Sequence, residues 1–373
     1  MYELNQKIID LVPYEPISGD YKIRLDANEC PFNLPQEISV QIAEAVKNIS
    51  FNRYPDPLSS GLIRAFAGFY GIKPENITAG NGSDELIFLV ESAFLEKGDK
   101  MLVVSPDFSM YNFYSSICEV ECETFFKDEN LKIDVDALID KVNTENIKLV
   151  IFSNPCNPTG SGITAAQAEK LVSSVDSLVV LDEAYMDFWT ESLIDKTDKF
   201  DNLIIFRTAS KMVGSAALRL GFAVANRKIT NALRAVKSPY NVNSVSQAIG
   251  EIVYNNKDHL IKRKEIIVKN TKRLYNSLVD ISSKVSGFKP YETCANFVFV
   301  KAERGSELFE FLKARSIVVR LMGAYLRITT GTDEEIDELL CSIKDFFKAI
   351  PHNSGVRIAQ PDFPSECSNN QRA

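Results

Sequence analysis

The chain has 373 residues, 45% of them hydrophobic and 25% charged, a balance that excludes a disordered or fibrous chain and allows a sizeable core. Its formal charge is −8, from 42 Lys and Arg against 50 Asp and Glu, which argues against a nucleic-acid partner. Two histidines far apart in the chain speak against a zinc or non-haem iron centre, and no apolar run reaches the roughly 20 residues of a membrane span, so neither metal nor membrane is expected.

Seven cysteines, an odd number without framework spacing, and a start without a signal sequence predict a reducing, cytoplasmic setting. Residues 1–30 read as an N-terminal arm, because Pro13-Tyr14-Glu15-Pro16 fixes extended backbone. Residues 36–48 carry Ile38, Ile42, Ala45 and Val46 at helical spacing. Arg53-Tyr54-Pro55-Asp56-Pro57 is a loop by its prolines. Helical text at 60–70, 84–96, 164–176 and 227–236 then alternates with apolar runs at 101–105, 149–153, 178–182, 203–206 and 221–225. Continuous apolar runs alternating with helices predict a parallel or mixed sheet covered on both faces. Residues 116–126 alternate like a strand, which would put Cys118 and Cys122 on one buried side. Residues 243–280 read as one long, broken helical region. Strands at 295–301, 317–320 and 325–329, with helices at 305–315 and 333–349, make a smaller α+β domain. The tail from Pro351 has little apolar periodicity and is expected to be disordered.

The chemistry-bearing positions share a location. Asp182 ends one apolar run, while Asn157 and Lys211 follow two others. In open α/β sheets, ligands bind beyond the carboxyl ends of the strands. Lys211 sits between Thr208-Ala209-Ser210 and the small residues Gly214-Ser215-Ala216-Ala217, so its amine has room to condense with an aldehyde. Alone it would be a solvated loop lysine; its neighbours argue otherwise. Asp182, at the end of an apolar strand, needs a partner for its charge, and a pyridinium nitrogen is one. Tyr185 and Asn157 can reach a phenolic oxygen on the same ring, and Phe108 can stack on its face. Gly80-Asn81-Gly82-Ser83 opens a helix whose backbone N–H groups suit a phosphate, with Ser83 as the N-cap. Asp84 and Glu85 favour the helix dipole but repel a dianion, so their carboxylates are expected to turn away. Ser210 and Arg219 supply a hydroxyl and a guanidinium. Together these residues describe a pocket for pyridoxal 5'-phosphate. Arg320 and Arg327 each sit in apolar, strand-like text, where an unpaired guanidinium is costly. They predict an anionic substrate end, internal salt bridges being the plainer alternative.

These segments resemble the fold-type I pyridoxal-phosphate aminotransferases, and among them the histidinol-phosphate aminotransferases. The likeness is carried by Leu25-Asp26-Ala27-Asn28-Glu29, Arg53-Tyr54-Pro55-Asp56-Pro57, Asn154-Pro155-Cys156-Asn157-Pro158-Thr159-Gly160, Asp182-Glu183-Ala184-Tyr185, Arg207-Thr208-Ala209-Ser210-Lys211 and Leu326-Arg327-Ile328-Thr329. It implies a large domain (51–262) with a mostly parallel seven-stranded sheet between helices, and a smaller α+β domain (31–50 and 263–350). An arm (1–30) and a tail (351–373) flank them. It also implies a homodimer with shared sites. By the resemblance, Lys211 bonds the cofactor covalently, Asp182 pairs with its ring nitrogen, and Asn157 and Tyr185 bond its phenolic oxygen. Phe108 stacks on the ring. Ser83, Asp84 (through backbone), Ser210 and Arg219 hold the phosphate, with Tyr54 added from the other subunit. Tyr14, Asn157, Arg320 and Arg327 engage substrate. The implied reaction is transamination between L-histidinol phosphate and 2-oxoglutarate, giving imidazole-acetol phosphate and L-glutamate. A threonine-phosphate decarboxylase, an aromatic amino-acid aminotransferase and a non-catalytic cofactor-binding regulator are the rivals.

Overall fold

The computed structural model describes residues 2–9, 11–13 and 15–348. Tyr14 and the tail from Pro351 lie outside the described residues. The larger sheet has seven strands: β2 (Ile77–Asn81), β3 (Lys100–Ser105), β4 (Glu121–Phe126), β5 (Leu149–Ser153), β6 (Leu178–Asp182), β7 (Leu203–Thr208) and β8 (Leu220–Ala225). Their spatial order is β2-β8-β7-β6-β5-β3-β4. Only β8 runs against its neighbours; β7-β6-β5-β3-β4 are parallel. Strands β5, β7 and β8 are buried along their whole length, in keeping with the apolar runs that make up most of each. One apolar layer contains Val150, Leu181 and Ile205; the opposite one contains Ile151, Val180 and Ile204.

The smaller sheet has five strands, ordered β1 (Ile23–Leu25), β11 (Ile317–Met322), β12 (Tyr325–Thr329), β10 (Phe297–Ala302) and β9 (Phe288–Pro290). β1 runs parallel to β11, with Ile23 opposite Ile317 and Leu25 opposite Val319. The late part of the expected arm is therefore an edge strand, with Ile23 and Leu25 buried. A three-residue strand lies below what alternation can reveal.

The region 243–280 resolves into two helices, α9 (Ser244–Asn255) and α10 (Lys257–Ser282). One stripe of α10 carries Leu260, Ile267, Leu274, Leu278 and Ile281. Leu260 and Ile267 join the core of the larger sheet, while Leu274, Leu278 and Ile281 join that of the smaller. This single helix fixes the two cores relative to each other.

The strand expected at 116–126 is corrected. Residues Met110–Cys118 form helix α5, Glu119 takes a left-handed φ of 58°, and only Glu121–Phe126 is strand. Cys118 is thus helical and Cys122 extended. Both still pack on one apolar cluster, so alternation over a helix end was mistaken for one strand.

Candidate active site

The carboxyl ends of β5, β6 and β7 open into a cavity of about 740 Å³. Every candidate residue named above lines it except Tyr54, Tyr14 lying outside the described residues. The smaller sheet closes the cavity from above, through Arg320, Met322 and Arg327.

Asp182 ends β6 and is 4% exposed. One carboxyl oxygen accepts from the Tyr111 hydroxyl at 2.9 Å, the other from the Ala184 N–H at 3.1 Å. Burial pushes its pKa up to about 7, against the Tyr111 hydrogen bond, which lowers it. Among the described residues no ion pair neutralises it, so the site lacks a cation at its floor. Neighbouring Glu183 points the other way and pairs with buried Arg207 at 2.7 Å, which also pairs with Asp187 at 2.8 Å. The two adjacent acids have separate jobs: Asp182 faces the cavity, Glu183 locks β6 to β7.

Lys211 follows β7. Its ammonium donates to the Ala27 carbonyl at 3.1 Å and lies 5.6 Å from the Tyr185 ring centroid. The Tyr185 hydroxyl accepts from Asn28 Nδ2 at 2.9 Å, and the ring packs edge-on against Phe297. Asn157 is held by its backbone N–H donating to Ser153 Oγ at 3.0 Å; its side-chain oxygen accepts from Arg327 Nη1 at 2.5 Å. Arg327 also donates to the Asp26 carbonyl at 2.6 Å. Arg320 is its direct partner across β11 and β12. Phe108 lies beside Tyr111, ring centroids 5.6 Å apart.

At the opposite wall, helix α4 (Ser83–Phe94) aims its N-terminus into the cavity. The approach is tight. A Cβ on Gly221 would stand 2.5 Å from the Ser83 nitrogen, and one on Gly82 would stand 2.7 Å from Arg219 Nη2. Gly82 also has a φ of 83°, which a glycine adopts without strain. Ser83 is the first helical residue rather than the cap; Gly82 holds the cap position and no side chain caps the helix. The Asp84 carboxylate does not turn away either. It pairs with Arg219 at 2.9 Å, because that guanidinium is the nearest cation once the chain folds. Glu85 does turn away, accepting from Asn241 Nδ2 at 2.9 Å. Ser210 Oγ accepts from Thr208 at 3.0 Å beside this wall.

These residues fit an aromatic aldehyde carrying a phosphate. The buried, cation-free Asp182 suits a protonated ring nitrogen, Lys211 suits the aldehyde, and the glycine-cleared helix end with Arg219 suits the phosphate. Tyr54 stands apart: 81% exposed, it stacks on Tyr240 with centroids 4.6 Å apart.

Three site residues escaped the sequence reading. Tyr111 sits in helix α5, of which only the end, 116–118, falls in the strand expected at 116–126. Asp107 accepts from the Ser153 N–H and hydroxyl, holding the turn below Asn157. Asn28 is buried, with a left-handed φ of 54°, and bridges Tyr185 to Thr329. Left-handed asparagine is a recurrent turn device, and that was the available signal.

Residues 20–343 match the family of class I and II aminotransferases, and the chain belongs to it. Among its relatives, the histidinol-phosphate aminotransferase of Clostridium novyi (strain NT) is 43% identical over 350 residues, covering 92% of this chain and 97% of that one. The histidinol-phosphate aminotransferase of Thermoanaerobacter sp. (strain X514) is 41% identical over 340 residues, covering 89% and 95%. The crystal structure of histidinol-phosphate aminotransferase from Sinorhizobium meliloti in complex with pyridoxal-5'-phosphate has the same fold. Its TM-score is 0.82 at 23% identity, with 94% of this chain and 98% of that one covered.

Proposed function

We propose that this enzyme transfers the amino group of L-histidinol phosphate to 2-oxoglutarate, releasing imidazole-acetol phosphate and L-glutamate in histidine biosynthesis. Pyridoxal 5'-phosphate is its cofactor. When bound, it supplies an aldehyde that takes the amino group and a cationic ring that takes up the electron pair left by the departing proton.

The protein's residues do the rest. Lys211 Nζ would hold the aldehyde and, once displaced by the substrate amine, carry the proton away from the substrate Cα. Asp182 would keep the ring nitrogen protonated, with Tyr111 fixing the carboxylate in place. Tyr185 and Asn157 would hold the phenolic oxygen, and Phe108 would cover one face. The backbone N–H groups at Ser83 and Asp84, with Ser210 and Arg219, would hold the phosphate. Arg320 and Arg327 would take the anionic end of either substrate, and Tyr14 would join them.

The observation that carries the substrate is the direct pairing of Arg320 with Arg327 at the cavity roof. Two arginines at facing strand positions that both line the cavity suit a dianionic phosphate better than one carboxylate. The curated relatives named for histidinol phosphate, at about two-fifths identity over nearly the whole chain, support the same choice.

Assembly as a homodimer is proposed on the surface around Tyr54, where Phe51 is 72% exposed and Leu58 is 52% exposed. Exposed aromatic and aliphatic side chains grouped in this way mark an interaction face. Tyr54 would then enter the other subunit's phosphate site. No helix among the described residues is long and apolar enough to cross a membrane, and we place the enzyme in the cytoplasm. We divide the chain into an arm (1–30), a large cofactor domain (51–262) and a smaller domain (31–50 with 263–350), followed by a tail (351–373).

A heavy-nitrogen label on histidinol phosphate should appear in glutamate when 2-oxoglutarate is supplied. Carbon dioxide released from threonine phosphate, without label transfer, would support the decarboxylase instead.

A further inference from the structure

Cys156 lies one residue before Asn157, 1% exposed, its side chain beside the Pro106 carbonyl. Lys127 reaches it from the end of β4. The lysine amine donates to the Pro106 carbonyl at 2.8 Å and stands 2.8 Å from Cys156 Sγ. That second distance is unusual. An N–H···O bond settles near 2.9–3.0 Å, and sulfur's larger radius should hold a nitrogen donor farther off. Cys156 Sγ itself stays 3.3 Å from the smaller Pro106 oxygen. The amine and the sulfur are held at a separation that a single oxygen atom, bonded to both, would span.

We propose that Lys127 and Cys156 form a redox-closed pair, in which peroxide inserts one oxygen atom between Nζ and Sγ to give a covalent N–O–S link.

The balance is explicit. The thiol and the neutral amine react with two molecules of hydrogen peroxide to give the link and three molecules of water. The S–H bond and one N–H bond break; an S–O and an O–N bond form. Sulfur and nitrogen together lose four electrons, which the two peroxides take up. Four thiol groups of an added dithiol reverse the change, returning thiol, amine and one water while they become two disulfides.

The surroundings favour this pair over any other cysteine here. Burial, and then Asp107, push the Cys156 thiol up, while Lys127 pulls it down. The thiol stays raised on balance, and Lys127 is the neighbouring cation that offsets part of that rise. Lys127 is only partly buried, so peroxide has a path along it. Closure has a local consequence. Lys127 as an ammonium is the positive charge facing Asp107, and Asp107 holds Ser153, whose hydroxyl holds the Asn157 backbone. An amine bonded to oxygen loses most of its basicity, so the link removes that charge and pins the turn carrying Asn157. The linked enzyme is therefore the slower one.

The test uses the whole holoenzyme, treated with peroxide and digested without reductant. The expected product joins the Lys127 and Cys156 peptides, with one oxygen gained and two hydrogens lost. It resists thiol alkylation and disappears with dithiothreitol, in step with recovery of the amino-transfer rate. Cys156→Ser and Lys127→Arg proteins should give no joined peptide, and Cys156→Ser should keep its rate under peroxide. Cys156 found as sulfenic or sulfinic acid beside a free Lys127 amine, or found unreacted, would overturn the proposal. A linked enzyme that transfers at the unlinked rate would overturn its effect on the site.

Discussion

Arg320 and Arg327 stand directly opposite each other across the antiparallel strands β11 and β12, and both side chains line the cavity above Lys211. Like charges facing one another across a strand pair destabilise a sheet unless something offsets them. Arg327 already has two neutral acceptors, Asn157 Oδ1 and the Asp26 carbonyl. Both arginines line the cavity, where the anionic end of a substrate would meet the two together.

Replacing Arg320 by Gln should therefore weaken histidinol phosphate much more than glutamate. Loss of one charge-assisted hydrogen bond costs about 1.5–3 kcal/mol, or about tenfold or more in kcat/KM. Arg327→Gln should damage both half-reactions and loosen Asn157 as well. Steady-state constants for each substrate in each variant check this; equal losses for both substrates in Arg320→Gln would make Arg320 structural.

Asp182 predicts a pH signature in the cofactor-free protein. Its pKa is raised from 3.8 to about 7 by burial. The folded state then holds a proton that the unfolded state has released, so stability falls as pH rises from about 4 to about 7. The contribution of a shift this size is on the order of 4 kcal/mol. Asp182→Asn, nearly isosteric, should lose that slope while keeping the fold, and should slow the half-reaction by orders of magnitude. Urea unfolding of both cofactor-free proteins at about pH 5 and about pH 8 compares the slopes. Parallel curves would contradict the burial argument.

Glu91 makes a separate stability prediction. It lies in the middle of α4, fully buried beside Ile87 and Val90, with neither carboxyl oxygen hydrogen-bonded. Burial pushes its pKa from 4.5 to about 9. The sign is the same as for Asp182: stability is lost between about pH 4.5 and about pH 9. Glu91→Gln cannot ionise and should stabilise the protein by about 2–4 kcal/mol near pH 8, with little change near pH 4. Thermal unfolding across that range decides it.

Tyr54 tests the shared site. A Tyr54→Phe chain and a Lys211→Ala chain are each impaired alone. If Tyr54 serves the other subunit, their heterodimer has one intact site and one doubly defective site. Mixing should then restore about one wild-type-like site per heterodimer. No recovery, with heterodimers confirmed by native mass spectrometry, would assign Tyr54 to its own chain.

Much of the site was legible because its residues violate local rules. Asp182 ends an apolar strand, and Lys211 follows another among small hydroxyl residues; local sequence alone exposes both. The runs at 149–153 and 178–182 match their strands to the residue, because apolar text on both faces leaves no other short element. Tyr111 was hidden because its role depends on helix α5 passing over the end of β6, a contact 71 residues apart in sequence. Asn28 was hidden for the same reason, since Tyr185 and Thr329 are its partners only after folding. The Asp84–Arg219 pair was misjudged because sequence reveals a dipole preference but not which cation the fold brings alongside.

The most direct test of the central claim is a single-turnover spectrum of the purified holoenzyme, without 2-oxoglutarate, against three amines: L-histidinol phosphate, L-phenylalanine and L-threonine phosphate. The account predicts that histidinol phosphate converts the cofactor's absorbance to that of its aminated form fastest and at the lowest concentration, and that the change disappears in Lys211→Ala. Faster conversion with phenylalanine, or an unchanged spectrum with histidinol phosphate, would contradict it.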